Sequence, residues 1–535
     1  MIAGFARVAG STGCDYMEDQ HMLSPRLTTF APRLALAALL FAGLACQTVT
    51  GTDGRPTPFD TVEPYTEAPL PTEDLQSEPT REGDPTAEPT TASEGNSLGG
   101  PDFSYNTDGV RYCLYSPGAT VAQMPDTVVN APEPTPFPLP ELPANTQVDA
   151  DTTQQQLDVF QELWEAVDDN YVYTDYRGVD WKAVGDKYRT LIEGGLAEED
   201  FYMAMSLMIF ELGDEHSSYQ DPEAVAEDDA RLAGNNDYVG IGVLVQAVLE
   251  TRTGVISHVF DDSPALEAGL RSHDVIVEVE GVPVVDEEGM LRTDKIRGPE
   301  GTDVTITVQR PGFDTPVELT ITRRRITGAA TIDYCLVPDT QIGYIYLPSF
   351  DDETFPRQVK DAIEAMAAST PLQGLVIDNR MNGGGSSSVA HPIMSYFVDG
   401  EQGAFISRQE RDVLELNGRN VAGSQTMPIV VLVDRDTASY GEIFSGVLKN
   451  AGRAVIVGRT TLGNVERLWG FNFDDGSRAW IASETFLPNG VDPNEAGIWE
   501  DTGIVADYDV PTRWDLFSEA NDPALAKAVE VLLQQ

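Results

Sequence analysis

From Gln154 onward, apolar residues recur every third or fourth position. Leu157, Phe160, Leu163, Trp164, Val167 and Tyr171 fall on one helical face. The same period predicts helices over about Trp181 to Ile192 and Glu198 to Leu212, the second stopped by Gly213. At Tyr238 the period shortens to two. VGIGVLVQ, GVISHVF, DVIVEVEG, DVTITVQR and VELTITRR alternate or run apolar between glycine turns and predict short strands, with a helix near Glu287 to Ile296. Beyond Thr331 strands and helices take turns. Strands are predicted at Ile342 to Leu347, Leu375 to Asp378, 429–433 and 453–457. Helices are predicted at Asp352 to Ala368, through His391 and over 440–451, and a hairpin about Asp474-Asp475-Gly476. The pattern divides the chain into a helical segment at 146–226, a strand-rich unit at 228–326, an α/β core at 327–515 and a terminal helix at 516–535. At 535 residues, two to four units are expected.

The densest chemical signal is PIVVLVDRDTASYGEIFSGVLKNAGRAVIVGRTTLGN, residues 428–464. Its apolar run breaks at Asp434-Arg435-Asp436, and Ser439 sits where strand gives way to helix. Such a turn lifts a serine out of the sheet, beside a helix N-terminus that favours developing negative charge. A plain helix cap uses the same geometry.

Composition adds a leader and an acidic surface. Leu34 to Ala45 is an apolar run of 12 residues preceded by Arg26 and Arg33, short for a membrane span and suited to a signal peptide. It ends in Gly43-Leu44-Ala45-Cys46. This is similar to the bacterial lipoprotein signal, which would make Cys46 the lipidated residue and 1–46 the signal, with translation starting at Met1 or at Met22. Residues 47–145 hold 17 of the 35 prolines, and their composition predicts a disordered tether. The 34 basic and 87 acidic residues give a net charge of −53. The tether carries −13 of it (16 acidic, 3 basic) and the body −40, which argues against nucleic-acid partners and is consistent with a salty habitat. Of four cysteines, Cys113 and Cys335 lie beyond the leader and could pair in an oxidising compartment.

YVGIGV and DSPALEAGLRSHDVIVEVEGVPV resemble a bacterial PDZ domain over about 228–326. Amides around Gly240 to Gly242 suit a chain-end carboxylate, and a free strand edge suits an extended peptide, so Val239, Gly240, Ile241 and Gly242 are the expected peptide-binding residues. LWEAVDDNYV, GVDW, LGDEHSSY, LVIDNRMNGGG, VLVDRDTASYGEIFSGVL, GRAVIVGRTTLGN and DTGIVADYDV follow in the order of the carboxyl-terminal processing (tail-specific) protease family, which the chain resembles over about 155–511. The resemblance implies a ClpP/crotonase-like α/β core and Ser439 as nucleophile. It also implies an oxyanion hole from the Tyr440 amide and the glycine loop at Gly384.

One position departs from the family. Its members use a lysine after the next strand, where this chain has Asn464. None of the six lysines is near that turn; Lys449 lies about three turns along the helix. Relatives such as tricorn protease pair serine with histidine and a glutamate near the C-terminal end. By that resemblance His216 is the base, Glu500 its support, and Ser217 stands beside the histidine, on the opposite side from the serine of those relatives. His21, His258, His273 and His391 have weaker placements. The expected activity is an exported serine endopeptidase acting on unstructured or C-terminal polypeptide segments and anchored to the outer face of the cell membrane by lipid. A binding protein on the same fold is the alternative. Cysteines and histidines lack ligand spacing and no phosphate loop is present, so no metal or cofactor is expected.

Overall fold

The protein is described here by a computed structural model covering residues 48–49, 98, 103–124, 141–214, 216–232, 238–286, 289–326, 330–491 and 499–535. Cys46 lies outside them. Asp149 caps α1 (Ala150–Asn170), accepting from Thr152 N at 2.9 Å. Helices α2 (Trp181–Glu193) and α3 (Glu198–Phe210) follow, then β1 (Ser218–Gln220) and α4 (Pro222–Leu232). This segment has no core of its own. Phe160, Tyr188 and Met208 share one apolar cluster with Leu468, Trp480 and Ile481 of the α/β body.

The strand-rich unit runs through β2 (Tyr238–Gly240), β3 (Val243–Val248), β4 (Thr253–Val259), α5 (Pro264–Glu267), β5 (Val275–Val279), β6 (Val282–Pro283), α6 (Thr293–Ile296), β7 (Asp303–Gln309), β8 (Val317–Thr322) and β9 (Arg324–Ile326). Its main sheet has the order β3-β4-β5-β7-β8, with β3 on an edge. The helix expected from Glu287 shrinks to α6. Gly289 at φ 89° and a bridge from Val285 to Leu291 keep 289–291 out of a helix, and 287–288 lie outside the described residues.

The body contains β10 (Tyr334–Leu336), β11 (Ile342–Tyr346), α7 (Phe355–Ser369), β12 (Gly374–Asp378), α8 (Ser387–Ser395), β13 (Gly400–Ile406) and β14 (Arg411–Leu416). It continues through β15 (Ile429–Val433), α9 (Tyr440–Asn450), β16 (Ala454–Gly458), β17 (Arg467–Asn472), β18 (Arg478–Pro488), β19 (Tyr508–Asp509) and α10 (Pro523–Leu533). Its central sheet has the order β10-β11-β12-β15-β16-β19 and is parallel except at β10. β11, β12 and β15 are buried along their whole length, as continuous apolar runs in a covered parallel sheet must be. β17, β18, β13 and β14 form a second sheet, to which β1 adds beside β18.

Part of the stretch expected to be a disordered tether is packed structure. Val110, Cys113 and Tyr115 are buried, Tyr112 bridges to Leu336, and Cys113 is disulfide-bonded to Cys335. Leu98 is buried in the strand-rich unit's core, where its carbonyl accepts from Arg310 at 2.8 Å. Thr48–Val49 lies alongside Trp469 and Gly470. The apolar and aromatic residues of VRYCLYS supply what a tether lacks. Among the described residues no helix is long and apolar enough to cross a membrane.

Candidate active site

Two loops leave the C-terminal ends of adjacent parallel strands, the usual place for a site in such a sheet. One follows β12 (Asn379 to Gly385) and the other follows β15 (Asp434 to Ser439). Several bonds join them. Asp434 accepts from Met381 N at 3.0 Å, Thr437 Oγ1 donates to Asn379 O at 2.9 Å, and Ala438 N donates to Asn382 O at 3.0 Å. Arg380 pairs with Asp378 and, at 2.7 Å, with Asp522, the cap of α10, so the terminal helix braces the first loop from below.

Ser439 is 2 % exposed and has φ 51° and ψ −125°, a strained backbone for a side chain. A Cβ placed on Gly384, whose φ is +106°, would stand 2.7 Å from Ser439 Cβ and 3.0 Å from Tyr440 N. Gly384 and the Tyr440 amide therefore meet at Ser439 as expected, and only glycine permits the approach. The Gly384 amide, however, donates to Asn382 Oδ1 at 2.9 Å.

Ser439 N donates to Asn464 O at 2.8 Å, which puts the departing position of the motif directly against the candidate nucleophile. Glu442, in the first turn of α9, holds that turn. It accepts from Thr461 Oγ1, from Gly463 N at 2.8 Å and from Asn464 N at 2.7 Å. Burial pushes Glu442 up to about 7, against these hydrogen bonds and the nearby His216. Lys449 is occupied elsewhere, paired with Asp507 at 2.8 Å.

His216 is 2 % exposed in a loop built by Asp214, whose Oδ1 accepts from His216 N at 3.0 Å and Ser217 N at 2.8 Å. Its Nδ1 lies 3.2 Å from Glu466 Oε2, and no partner is found for Nε2 among the described residues. Glu466 follows Asn464 by two positions, so one short segment touches Ser439 at one end and His216 at the other. Tyr173 donates to Glu466 Oε1 at 3.0 Å. Glu500 is hydrogen-bonded to Glu466, accepts from Val465 N at 2.9 Å, and has Arg177 Nη1 at 3.8 Å. Burial, then the Glu466 charge, raise the Glu500 carboxyl well above the usual range. Burial acts most strongly on Glu466 and would raise it, but the hydrogen bond and charge of His216 and the Glu500 hydrogen bond together hold it low.

The other expected residues fall as follows. Ser217 Oγ donates to Asp214 Oδ2 at 2.6 Å and accepts from Ala482 N at 3.0 Å, ties that fasten the histidine loop to β18. His391 contacts the Tyr440 hydroxyl at 3.3 Å, and burial pushes it down to about 4. Val239 and Gly240 pair with Arg325 and Arg324 in the β2–β9 ribbon. Gly242, at φ +83°, turns the chain into β3. From that edge strand Gln246 Nε2 donates to Met381 O of the glycine loop at 2.6 Å. Cys113, Cys335 and Glu519 stand close enough for a ligand set, but the disulfide takes both sulfurs.

Residues 341–509 match Peptidase family S41, 153–210 match the Tricorn protease C1 domain, and 239–321 match a PDZ domain. In these matches the chain is similar to the carboxy-terminal processing serine proteases. It is 29 % identical over 307 residues to the Carboxy-terminal-processing protease of Bartonella bacilliformis, covering 56 % of this chain and 68 % of that one. It is 28 % identical over 367 residues to the chloroplastic C-terminal processing peptidase of Tetradesmus obliquus, covering 66 % and 78 %. It is 27 % identical over 359 residues to the Carboxy-terminal processing protease CtpB of Bacillus subtilis, covering 65 % and 68 %.

Nothing in the sequence reading singled out Glu442, Glu466 or the Asn382 side chain. Glu466 carried one available signal, an acidic residue two positions after the missing lysine. It stands one residue before β17, where an acidic residue carries no special mark.

Proposed function

We propose that the chain is an exported, lipid-anchored serine endopeptidase that uses Ser439 as nucleophile and His216 as general base. The reading rests on one observation. The strained Ser439 turn and the His216–Glu466 contact lie at the two ends of segment 464–466. His216 Nε2 takes the Ser439 Oγ proton as the oxygen attacks the peptide carbonyl. The proton then passes to the leaving amine, and a water resolves the acyl-enzyme by the same route. The oxyanion is stabilised by the Tyr440 amide and by the Gly384 amide once it leaves Asn382 Oδ1. Glu500 supports the base from behind. Ser217 holds the loop and moves no proton.

The PDZ domain selects unstructured or C-terminal segments, with Val239 to Gly242 receiving the chain end and the β3 edge pairing with the peptide. Leu34 to Ala45 directs export and Cys46 takes the lipid, fixing the enzyme to the outer face of the membrane. The Cys113–Cys335 bridge suits an oxidising compartment. Binding without turnover is the second reading, favoured by the engaged Gly384 amide and by Asn464. Hydrolysis of an unfolded polypeptide decides between them. Wild type is expected to cleave it, with Ser439→Ala and His216→Ala each slower by at least about 10³-fold. Folded wild type that binds the polypeptide without cleaving it establishes the second reading.

A further inference from the structure

Behind His216 lie two buried carboxylates where one would orient an imidazole. Glu466 is 0 % exposed and Glu500 7 %, and they are hydrogen-bonded to each other. A hydrogen bond between two carboxyl groups needs a proton on one of them, and two bare charges in such contact cannot both persist. The surroundings decide which one carries it. Glu466 has hydrogen-bonding partners on three sides: the Tyr173 hydroxyl donates to it at 3.0 Å, His216 Nδ1 lies at 3.2 Å, and the Glu500 carboxyl is the third. That set suits an anion. Among the described residues Glu500 accepts from one backbone amide, at 2.9 Å, and has one cation beside it, Arg177, which bonds more closely to Asp501 at 2.6 Å than to Glu500 at 3.8 Å.

We propose that Glu466 and Glu500 share one proton, with Glu466 the ionised member that positions His216 and Glu500 the neutral donor that holds Glu466. The assignment rests on the Ser439–His216 reading of the site. It fixes the tautomer. Nδ1 keeps its hydrogen for Glu466, and Nε2 is left as the acceptor for the serine proton. Glu466 then faces the imidazolium that forms during the reaction and stabilises it without taking its proton. Among the described residues, the other charged or titratable groups around the pair are Arg177 and Asp501 beside Glu500, Tyr171 and Asp214 behind Glu466, and Glu442 across His216. Burial and adjoining carboxylates raise both Tyr171 and Tyr173, which therefore stay neutral, and Tyr173 is the one that donates to Glu466.

The test is a set of full-chain variants read by kcat, KM, the pH dependence of kcat and proton NMR of the histidine ring. E466Q is expected to lower kcat about 10²- to 10⁴-fold with KM little changed. E466D is expected to recover at least about tenfold of that loss, because it restores the anion. E500Q is expected to lower kcat by at least about tenfold less than E466Q does and to keep the acid limb of its pH profile, since an amide N–H replaces the carboxyl O–H. A far-downfield Nδ1 proton should be present in wild type and E500Q and absent in E466Q. Equal losses in E466Q and E500Q, or a downfield proton that survives E466Q, overturn the assignment. The NMR signal needs no turnover, so an inactive wild type that shows this pattern defeats the peptidase reading and leaves the paired carboxylates standing. If E466Q does not fold, E466D decides. A retained downfield proton with a reduced rate supports the proposal, and a lost proton at unchanged rate overturns it.

Discussion

Ser439 carries a strain that a glycine would relieve. Its φ of 51° and ψ of −125° are costly for any side chain, on the order of 1–3 kcal/mol. Ser439→Gly is therefore expected to raise the thermal midpoint while abolishing hydrolysis. Calorimetry beside a rate assay checks both, and a lowered midpoint contradicts the strain account. Gly384→Ala should do the opposite. Its Cβ would fall 2.7 Å from Ser439 Cβ, so kcat/KM should drop at least about 100-fold, with the fold retained by circular dichroism. Glu442 gives a pH prediction. Its folded pKa of about 7 lies above its ordinary value of 4.5, so the folded state binds the extra proton between those values. Its contribution to stability is full below about 4.5 and lost as pH rises through about 7. Urea unfolding across that window should show stability falling with pH, and Glu442→Gln should flatten the fall. The approach of Gly384 to the Ser439 turn was legible because both sit in motifs at forced turns. Glu442 was not, because an acid in a first helical turn reads as an ordinary dipole partner.

At the scale of elements, periodicity placed most strands and helices within a few residues. β15 is all-apolar and β12 is apolar up to Asp378, each too short for a helix, and α1 shows a clean buried face. Errors arose where tertiary contacts outweighed composition. The proline-rich stretch hid the strap around Cys113, because averaging over 47–145 diluted a few aromatic residues. The helices at 146–226 looked like a separate unit because a sequence does not reveal that Phe160 and Trp480 share a core. The strap yields a prediction. The Cys113–Cys335 bridge spans a sequence separation of 222, and its loss should cost about 2–4 kcal/mol. Cys113→Ser with Cys335→Ser should lower the thermal midpoint, and reductant should then have no further effect. A wild-type midpoint unmoved by reductant contradicts this.

Across the whole molecule, the three units meet at one site. The helical segment supplies Tyr173 and leads to His216, the PDZ domain reaches Met381 through Gln246, and the body supplies Ser439 and Glu466. A net charge of −53 surrounds this assembly, and like charges repel in the compact state. Added salt screens that repulsion, so the thermal midpoint should rise from low to molar sodium chloride. A flat curve contradicts a surface adapted to salt. The order of the units was legible, because PDZ, glycine loop and serine turn each carry a long motif. Their contacts were not, because Gln246 is one polar residue in a strand of alternating pattern.

The central claim is an activated serine in a chain that lacks the family lysine. The direct measurement is fluorophosphonate labelling of the purified chain, with the adduct mapped by mass spectrometry, in wild type, Ser439→Ala and His216→Ala. The account predicts an adduct on Ser439 in wild type and none in either variant. Labelling of Ser439 that survives in His216→Ala, or folded wild type that takes no label, contradicts it.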